Sequence, residues 1–395
     1  MSTDTELAAT GFFDAAPMAL DRAAGWRYFR EPGEVYQRDG MWFLTSVPAV
    51  RFAHQHPEIF SSARAFDNLA SPVPLIPLAV DPPDHVRYRR LLDPLFAPRV
   101  INDIEPELRR QAREIIEQFV HDGHCDVVET IAKLYPTQVI MTMFGLPLKD
   151  RDTFIAWVRT LVETSGAKAG EPPTPEQAAA GGALFGYLQG FITAKRANPT
   201  DDILSGILSM SGDDAWTDEE VLGLCFLFTL AGLDTVTAVI GFVLLHLARH
   251  PEIRRQIRDN PELSGPVIEE VLRLELPAPL TPRVTQRDVE VRGTTIPAGS
   301  MVMLVLATAN RDDRPNADEI DLSLADRGHL SFGGGIHRCL GSHLARRELR
   351  IVVEEMLRMI PDFEISGSYE PRVHWPSGTL HLTSLPITFP KGGTA

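Results

Sequence analysis

The sequence predicts a mainly α-helical fold with a small β region, and three observations carry this. Long stretches repeat apolar residues every three or four positions, as in 107–120, 224–250 and 348–360. Alternating, strand-like stretches are short and few. No linker or internal repeat divides the chain, so 1–395 is expected to form a single domain.

In chain order, "MWFLTS" (41–46) reads as a strand. "NLASPVPLIPLAV" (68–80) is uncharged, apolar and too proline-broken for a helix. It is either a lid over something apolar or a connection crossing the core. "ELRRQAREIIEQFV" (107–120) is an amphipathic helix. "TSGAKAGEPPTPEQAAAGG" (164–182) reads as a mobile surface connection between two helices. "LCFLFTLAGLDTVTAVIGFVLLHLARH" (224–250) is a long apolar helix interrupted by Gly232, Asp234 and Thr235. Asp and Thr compete for backbone hydrogen bonds, so a bulge or kink is expected there. "RDVEVRG" (287–293), "MVMLVLA" (301–307) and the tail "TLHLTSLPITF" (379–389) supply further strands, and "ELRIVVEEMLRMI" (348–360) a further helix.

Composition narrows the function. Of 395 residues, 44% are hydrophobic and 23% charged, an ordinary globular balance. The net charge of −15 argues against nucleic acid as a partner. The N-terminal residues lack a basic leader followed by an apolar run, and the longest apolar segment, Val221 to Leu233, stops at Asp234. No membrane anchor is therefore expected. Cysteines at 125, 225 and 339 form neither a disulfide framework nor a zinc pattern, so a reducing cytoplasm is the expected location.

One cysteine has unusual surroundings. "FGGGIHRCLGSHLAR" (332–346) places Cys339 between a glycine-rich turn and a helix. A thiolate needs positive charge, backbone N–H groups or a helix N-terminus, and all three are at hand. Gly333, Gly334 and Gly335 on one side and Gly341 on the other remove side chains that would block a planar ligand. His337 and Arg338 are placed to meet anionic groups.

The stretch from Phe332 to Gly341 resembles the haem-ligand signature of the cytochrome P-450 family: Phe-x-x-Gly-x-(His or Arg)-x-Cys-x-Gly. Further segments match in the same order over nearly the whole chain. The resemblance implies the cytochrome P-450 fold, with haem b (iron protoporphyrin IX) between the long central helix and the helix after Cys339. It makes Cys339 the thiolate ligand of the iron, a ligand that favours O–O cleavage. "DPPDHVRYRRLLDPLFAPR" (81–99) is similar to the family's haem-contacting helix, where His85 and Arg89 share one face. Arg283 in "LTPRV" and His337 complete four donors for the two haem carboxylates. In "EEVLR", Glu270 and Arg273 match a buried pair whose third partner, an arginine, aligns with Leu324; Arg327 could substitute, or the network closes otherwise.

"AGLDT" (231–235) matches the family's oxygen-activating motif. The resemblance assigns proton delivery to Asp234 and Thr235 and leaves room for dioxygen at Ala231 and Gly232. Leu227, Leu230 and Ala231 share a helical face with Thr235 and are expected to meet substrate. Ile76, Leu78, Pro279, Thr281 and Thr379 are further candidates. None is charged, which points to a small hydrophobic substrate. The arginines around Cys339 (Arg338, Arg346, Arg347, Arg350, with Arg87, Arg90 and Arg99) suggest a basic patch for an acidic ferredoxin, itself served by a ferredoxin reductase. The expected activity is monooxygenation by a monomeric enzyme. The alternatives are a peroxide-driven peroxygenase, which the Asp–Thr pair disfavours, and a non-catalytic haem sensor or redox carrier.

Overall fold

The computed structural model describes residues 11–13, 15–66, 71, 73–163, 174–312, 314–323 and 328–391. The first part of the chain runs α1 (Arg22–Arg30), β1 (Val35–Arg38), β2 (Met41–Leu44), α2 (Val47–Gln55) and β3 (Phe60–Ser61). There follow α3 (Asp84–Leu92), α4 (Pro98–Glu117), β4 (His124–Asp126), α5 (Leu134–Phe144), α6 (Arg151–Glu163), α7 (Pro175–Ala197) and α8 (Ile203–Leu208). Next are α9 (Asp218–Arg249), α10 (Pro251–Asp259), α11 (Ser264–Leu274), β5 (Leu280–Thr285), β6 (Val289–Val291) and β7 (Thr294–Ile296). The last are β8 (Met301–Val305), α12 (Leu306–Ala309), α13 (Ser342–Met359), β9 (Glu364–Ile365) and β10 (Pro386–Thr388). The mainly helical fold with a small β region is therefore present.

The β region is a five-stranded sheet of order β1-β2-β8-β5-β3, with a small β4-β10-β9 sheet and a β6-β7 hairpin. β5 escapes sequence reading because it contains Pro282. β3 pairs only with Val284 and Thr285, so the edge beside Pro282 is open, a place where a strand tolerates proline.

The helices pack around α9. A capping box, with the Thr217 side chain on Glu220 N–H and Glu220 reaching back to Thr217 N–H, starts it. It is apolar around most of its circumference because α5, α7, α11 and α13 surround it. By length and composition this helix could cross a bilayer, which the apolar run to Leu233 did not suggest, yet most of it is buried among its neighbours. The expected bulge at Asp234 and Thr235 is also not found: the α-helix is continuous from Asp218 to Arg249. Thr235 Oγ1 donates to Ala231 O at 2.7 Å, and Thr229 and Thr237 make the same bond one turn back. Each hydroxyl is thus satisfied without breaking the ladder.

A second expectation is corrected at 164–182. Residues 164–173 lie outside the described set, but 175–182 is the first part of α7, not a loop. Thr174 and Gln177 form a capping box with Pro175 in the first turn, and this nucleates the helix through the small residues that follow. α4 and α13 are joined by Glu355, which accepts from Arg109 (2.9 Å), Arg113 (2.8 Å) and Arg358 (2.8 Å). Burial opposes its charge, but the three guanidiniums hold its carboxyl at about 2.

Candidate functional site

Cys339 lies in the loop that feeds α13. Its N–H donates to Phe332 O at 2.8 Å, which closes the glycine turn. Gly333 (φ 67°) and Gly335 (φ 62°) hold left-handed conformations that favour glycine. The Cys339 sulfur accepts from Gly341 N–H at the start of α13, and Arg89, Arg346 and Arg338 add positive potential. Burial wins in the protein alone and raises the thiol, although the residue itself is accessible. Both hold for a group on the floor of a cleft: protein surrounds it, and one side is open. Arg346 stacks over the Phe332 ring at 4.3 Å and is anchored by Glu269, which also meets His329.

Polar side chains from three elements converge beside this loop. His85, from α3, is 2% exposed, and neither ring nitrogen has a hydrogen-bond partner among the described residues. Its ring lies 4.3 Å from that of His337, whose buried Nε2 is also unpartnered. Arg283, on β5, is 6% exposed and among the described residues bonds only its neighbour's carbonyl, Pro282 O. Burial lowers all three: His337 to about 3, with Arg283 and His85 contributing, and Arg283 to about 10. Asp81 acts on both Arg283 and His85 but is already engaged by Ser61 Oγ and Ser62 N–H, and Asp93, which also acts on His85, is bonded to Arg89. Buried donors without acceptors cost free energy unless something answers them. This set suits a bound molecule with carboxylates.

Arg89 is less free. Its Nε donates to Asp93 at 2.7 Å and its Nη1 to Arg338 O at 2.6 Å, tying α3 to the cysteine loop. The Thr281 hydroxyl is buried and unpartnered two residues before Arg283 on the same strand, so it faces the same side.

In the middle of α9, Leu230, Gly232, Asp234 and Thr235 are half-buried and Ala231 is exposed, with buried Leu233 and Val236 between and after them; Phe228 and Thr237 on either side are half-buried too. Leu227 is only 7% exposed and belongs to the core. Ile76 is buried, and Leu78 packs partly buried against the same core. This part of 68–80 lies directly on α9: a Cβ at Gly223 would come within 2.0 Å of Pro74 O. Residues 67–70 and 72 lie outside the described set. Pro279 is buried, and Thr379 is half-buried in a turn tied back by Leu380 N–H to Pro277 O at 2.8 Å.

The pair Glu270–Arg273 is bidentate, with both bonds at 2.9 Å and both side chains 2% exposed. Leu324, which stands where the family's arginine is expected, and Arg327, its suggested substitute, lie outside the described residues. The cation beside the pair is Arg314, 3.6 Å from Glu270. Arg273 also donates to Ala317 O and Glu319 O, and Glu270 accepts from Asp321 N–H. Asn310, which no motif marks, continues the network. Its Oδ1 accepts from Leu330 N–H at 2.7 Å, and its Nδ2 donates to Arg273 O and Ser331 Oγ. α11 is thereby bonded to the strand of chain entering the cysteine loop.

A glycine-lined cysteine beside a cluster of buried unpartnered donors defines a protein that holds a planar, carboxylate-bearing cofactor. Comparison with known proteins is specific. The cytochrome P-450 family profile matches residues 32–265 and 262–372. The chain is 35% identical over 361 residues to a vitamin D(3) 25-hydroxylase of Pseudonocardia autotrophica, covering 88% of each. It is 35% identical over 313 residues to the mycinamicin IV hydroxylase/epoxidase of Micromonospora griseorubida, covering 77% of this chain and 76% of the other. Among solved structures, open EryK from S. erythraea aligns with a TM-score of 0.86 and 30% identity over 97% of this chain and all of that one. This chain belongs to the cytochrome P-450 family and is a monooxygenase whose cofactor is haem b.

The residues fit that group. When bound, haem supplies the iron at which dioxygen is activated. The Cys339 sulfur, with one N–H bond and a glycine on each side, could ligate it. His85, Arg283 and His337 are the donors available to its carboxylates, with Arg89 bridging α3 to the loop.

Proposed function

We propose that this chain inserts one atom of dioxygen into a small, mostly apolar organic molecule, taking electrons from a separate ferredoxin. The observation that carries the reading is the partly exposed set Leu230, Ala231, Gly232, Asp234 and Thr235 in the middle of a mostly buried helix that packs against α13. In this reading Cys339 ligates iron, and His85, Arg89, Arg283 and His337 hold the carboxylates. Thr235 would release its bond to Ala231 O and, with Asp234, would pass protons from solvent to dioxygen held beside Ala231 and Gly232. Leu230 and Ala231 form the apolar wall next to the substrate, with Leu78 and Thr379 above it. Relatives named as a vitamin D(3) 25-hydroxylase and a mycinamicin IV hydroxylase/epoxidase support oxygen insertion into an organic molecule. One hydrophobic cluster extending from Ala16 to Phe389 supports reading 1–395 as one domain.

The test compares the parent with Thr235→Ala, each supplied with NAD(P)H, reductase, ferredoxin and a compound that shifts the iron's spin state. The parent is expected to couple electrons to product. Thr235→Ala should retain haem and compound binding while product per electron falls about tenfold and peroxide appears instead. Full coupling in the variant removes the proton role. Efficient parental turnover on peroxide alone favours a peroxygenase.

The docking patch needs revision from the sequence reading. Arg87 pairs with Glu220, Arg90 with Asp214, Arg346 with Glu269, Arg347 with Glu105, and Arg350 with Glu354 and Glu262. Arg99 and Arg338 are exposed and have no acidic partner among the described residues. Arg338 is beside Cys339. Arg99 is one turn from Asn102, which accepts from Arg347 of α13. These two are therefore the steering charges. Arg99→Glu is expected to slow reduction by an acidic ferredoxin about tenfold at low salt, an effect that fades as ionic strength rises. Arg350→Glu should do less. Stopped-flow reduction rates against salt check this, and a salt-independent rate unaltered in Arg99→Glu rejects it.

A further inference from the structure

His54, in the last turn of α2, is marked by no motif and is only 8% exposed. Its Nδ1 is fully buried and has no hydrogen-bond partner. The cysteine loop is pressed against it. A Cβ on Gly334 would lie 2.6 Å from His54 Nδ1, and one on Gly335 would lie 2.1 Å from His54 O. Part of the glycine run therefore makes room for this residue rather than for a cofactor.

Chemistry sets the state of the ring. Burial and the charge of Arg283 lower it to about 4, so it is a neutral imidazole. A bare buried acceptor is tolerated better than a buried N–H without a partner, which places the proton on Nε2. That nitrogen is not sealed in the interior as Nδ1 is. The charge of Arg283 reaches this ring, and a proton on the ring would in turn disfavour one on His337, so it lies beside the same cluster of donors. Asp81 is occupied by Ser61 and Ser62.

We propose that His54 is a further ligand of the haem carboxylates, its Nε2–H donating to a propionate alongside Arg283 and His337. This rests on the reading that Arg283 holds a propionate. A ring that merely filled space beneath Gly334 would be replaceable by an apolar side chain at no cost, since an unpartnered imidazole is itself unfavourable there.

The experiment uses purified holoprotein of the parent, His54→Leu, His54→Gln and Arg283→Gln. Two readouts are taken: the propionate bending bands in the resonance Raman spectrum, and the rate of haem transfer to excess apomyoglobin. His54→Leu is expected to shift the bands and release haem about tenfold faster, the loss of one charge-assisted hydrogen bond. His54→Gln, which keeps an N–H donor, should stay near the parent in both. Unmoved bands in His54→Leu with a shift in Arg283→Gln overturn the role of His54 alone. Unmoved bands in both remove the propionate assignment of Arg283 as well. Equal behaviour of the leucine and glutamine variants also overturns the proposal. If His54→Leu yields no holoprotein, His54→Phe with the same Raman readout replaces it.

Discussion

Cys339→Ser abolishes the strongly red-shifted absorption of the reduced carbon monoxide complex and lowers turnover by about a thousandfold or more, equivalent to about 4 kcal/mol of barrier. Serine preserves the size of the side chain and the N–H of Gly341 as a donor, so the loop retains its shape. It removes the soft, electron-donating sulfur that favours O–O cleavage. The other two cysteines supply the control. Cys125 and Cys225 are buried with their thiols pushed up to about 12, so neither is a thiolate at neutral pH. Cys225→Ser is expected to leave the absorption band in place. A Cys339→Ser protein that retained the red-shifted band would refute Cys339 as the ligand.

Glu270→Ala destabilises the protein by about 3–5 kcal/mol, because it leaves the Arg273 guanidinium buried without its counter-charge. The two carbonyls that remain, Ala317 O and Glu319 O, accept hydrogen bonds but neutralise nothing. Arg314, 3.6 Å from Glu270, loses the same counter-charge. Haem content should fall in parallel. The chain from Arg273 O through Asn310 to Leu330 N–H leads directly into the cysteine loop. Glu270→Gln, which keeps the shape and loses the charge, should fall between. Urea denaturation of the holoproteins and their haem-to-protein ratios measure both effects. A loss under about 1 kcal/mol in the alanine variant would mean the pair is not structural.

Some parts of this architecture were legible because they are local. Helix periodicity and the cysteine signature each span a few turns of consecutive residues, and their physics depends on near neighbours. The bulge at Asp234 and Thr235 was misjudged for a related reason. Spacing shows that a hydroxyl competes for a carbonyl, but not that Thr235 settles on Ala231 O without disturbing the ladder. β5 was missed because proline argues against a strand until one sees that β3 leaves its edge open. Arg314, Asn310 and His54 sit far along the chain from the residues they serve, and nothing in their own neighbourhoods distinguishes them.

The sequence by itself determined the chemistry: a cysteine framed by glycines, an acid–threonine pair in an apolar helix, and cationic or imidazole donors at family spacings. Tertiary structure alone decided which charges are free to act. Arginines that look like one basic patch along the chain are mostly neutralised by Glu105, Glu262, Glu269 and Glu354, which reach them only after folding. His54, His85, Arg283 and His337, by contrast, are brought together with no carboxylate among the described residues hydrogen-bonded to any of them. The physical reason is that charge and hydrogen-bonding capacity belong to single residues, whereas pairing and desolvation depend on what packing brings alongside.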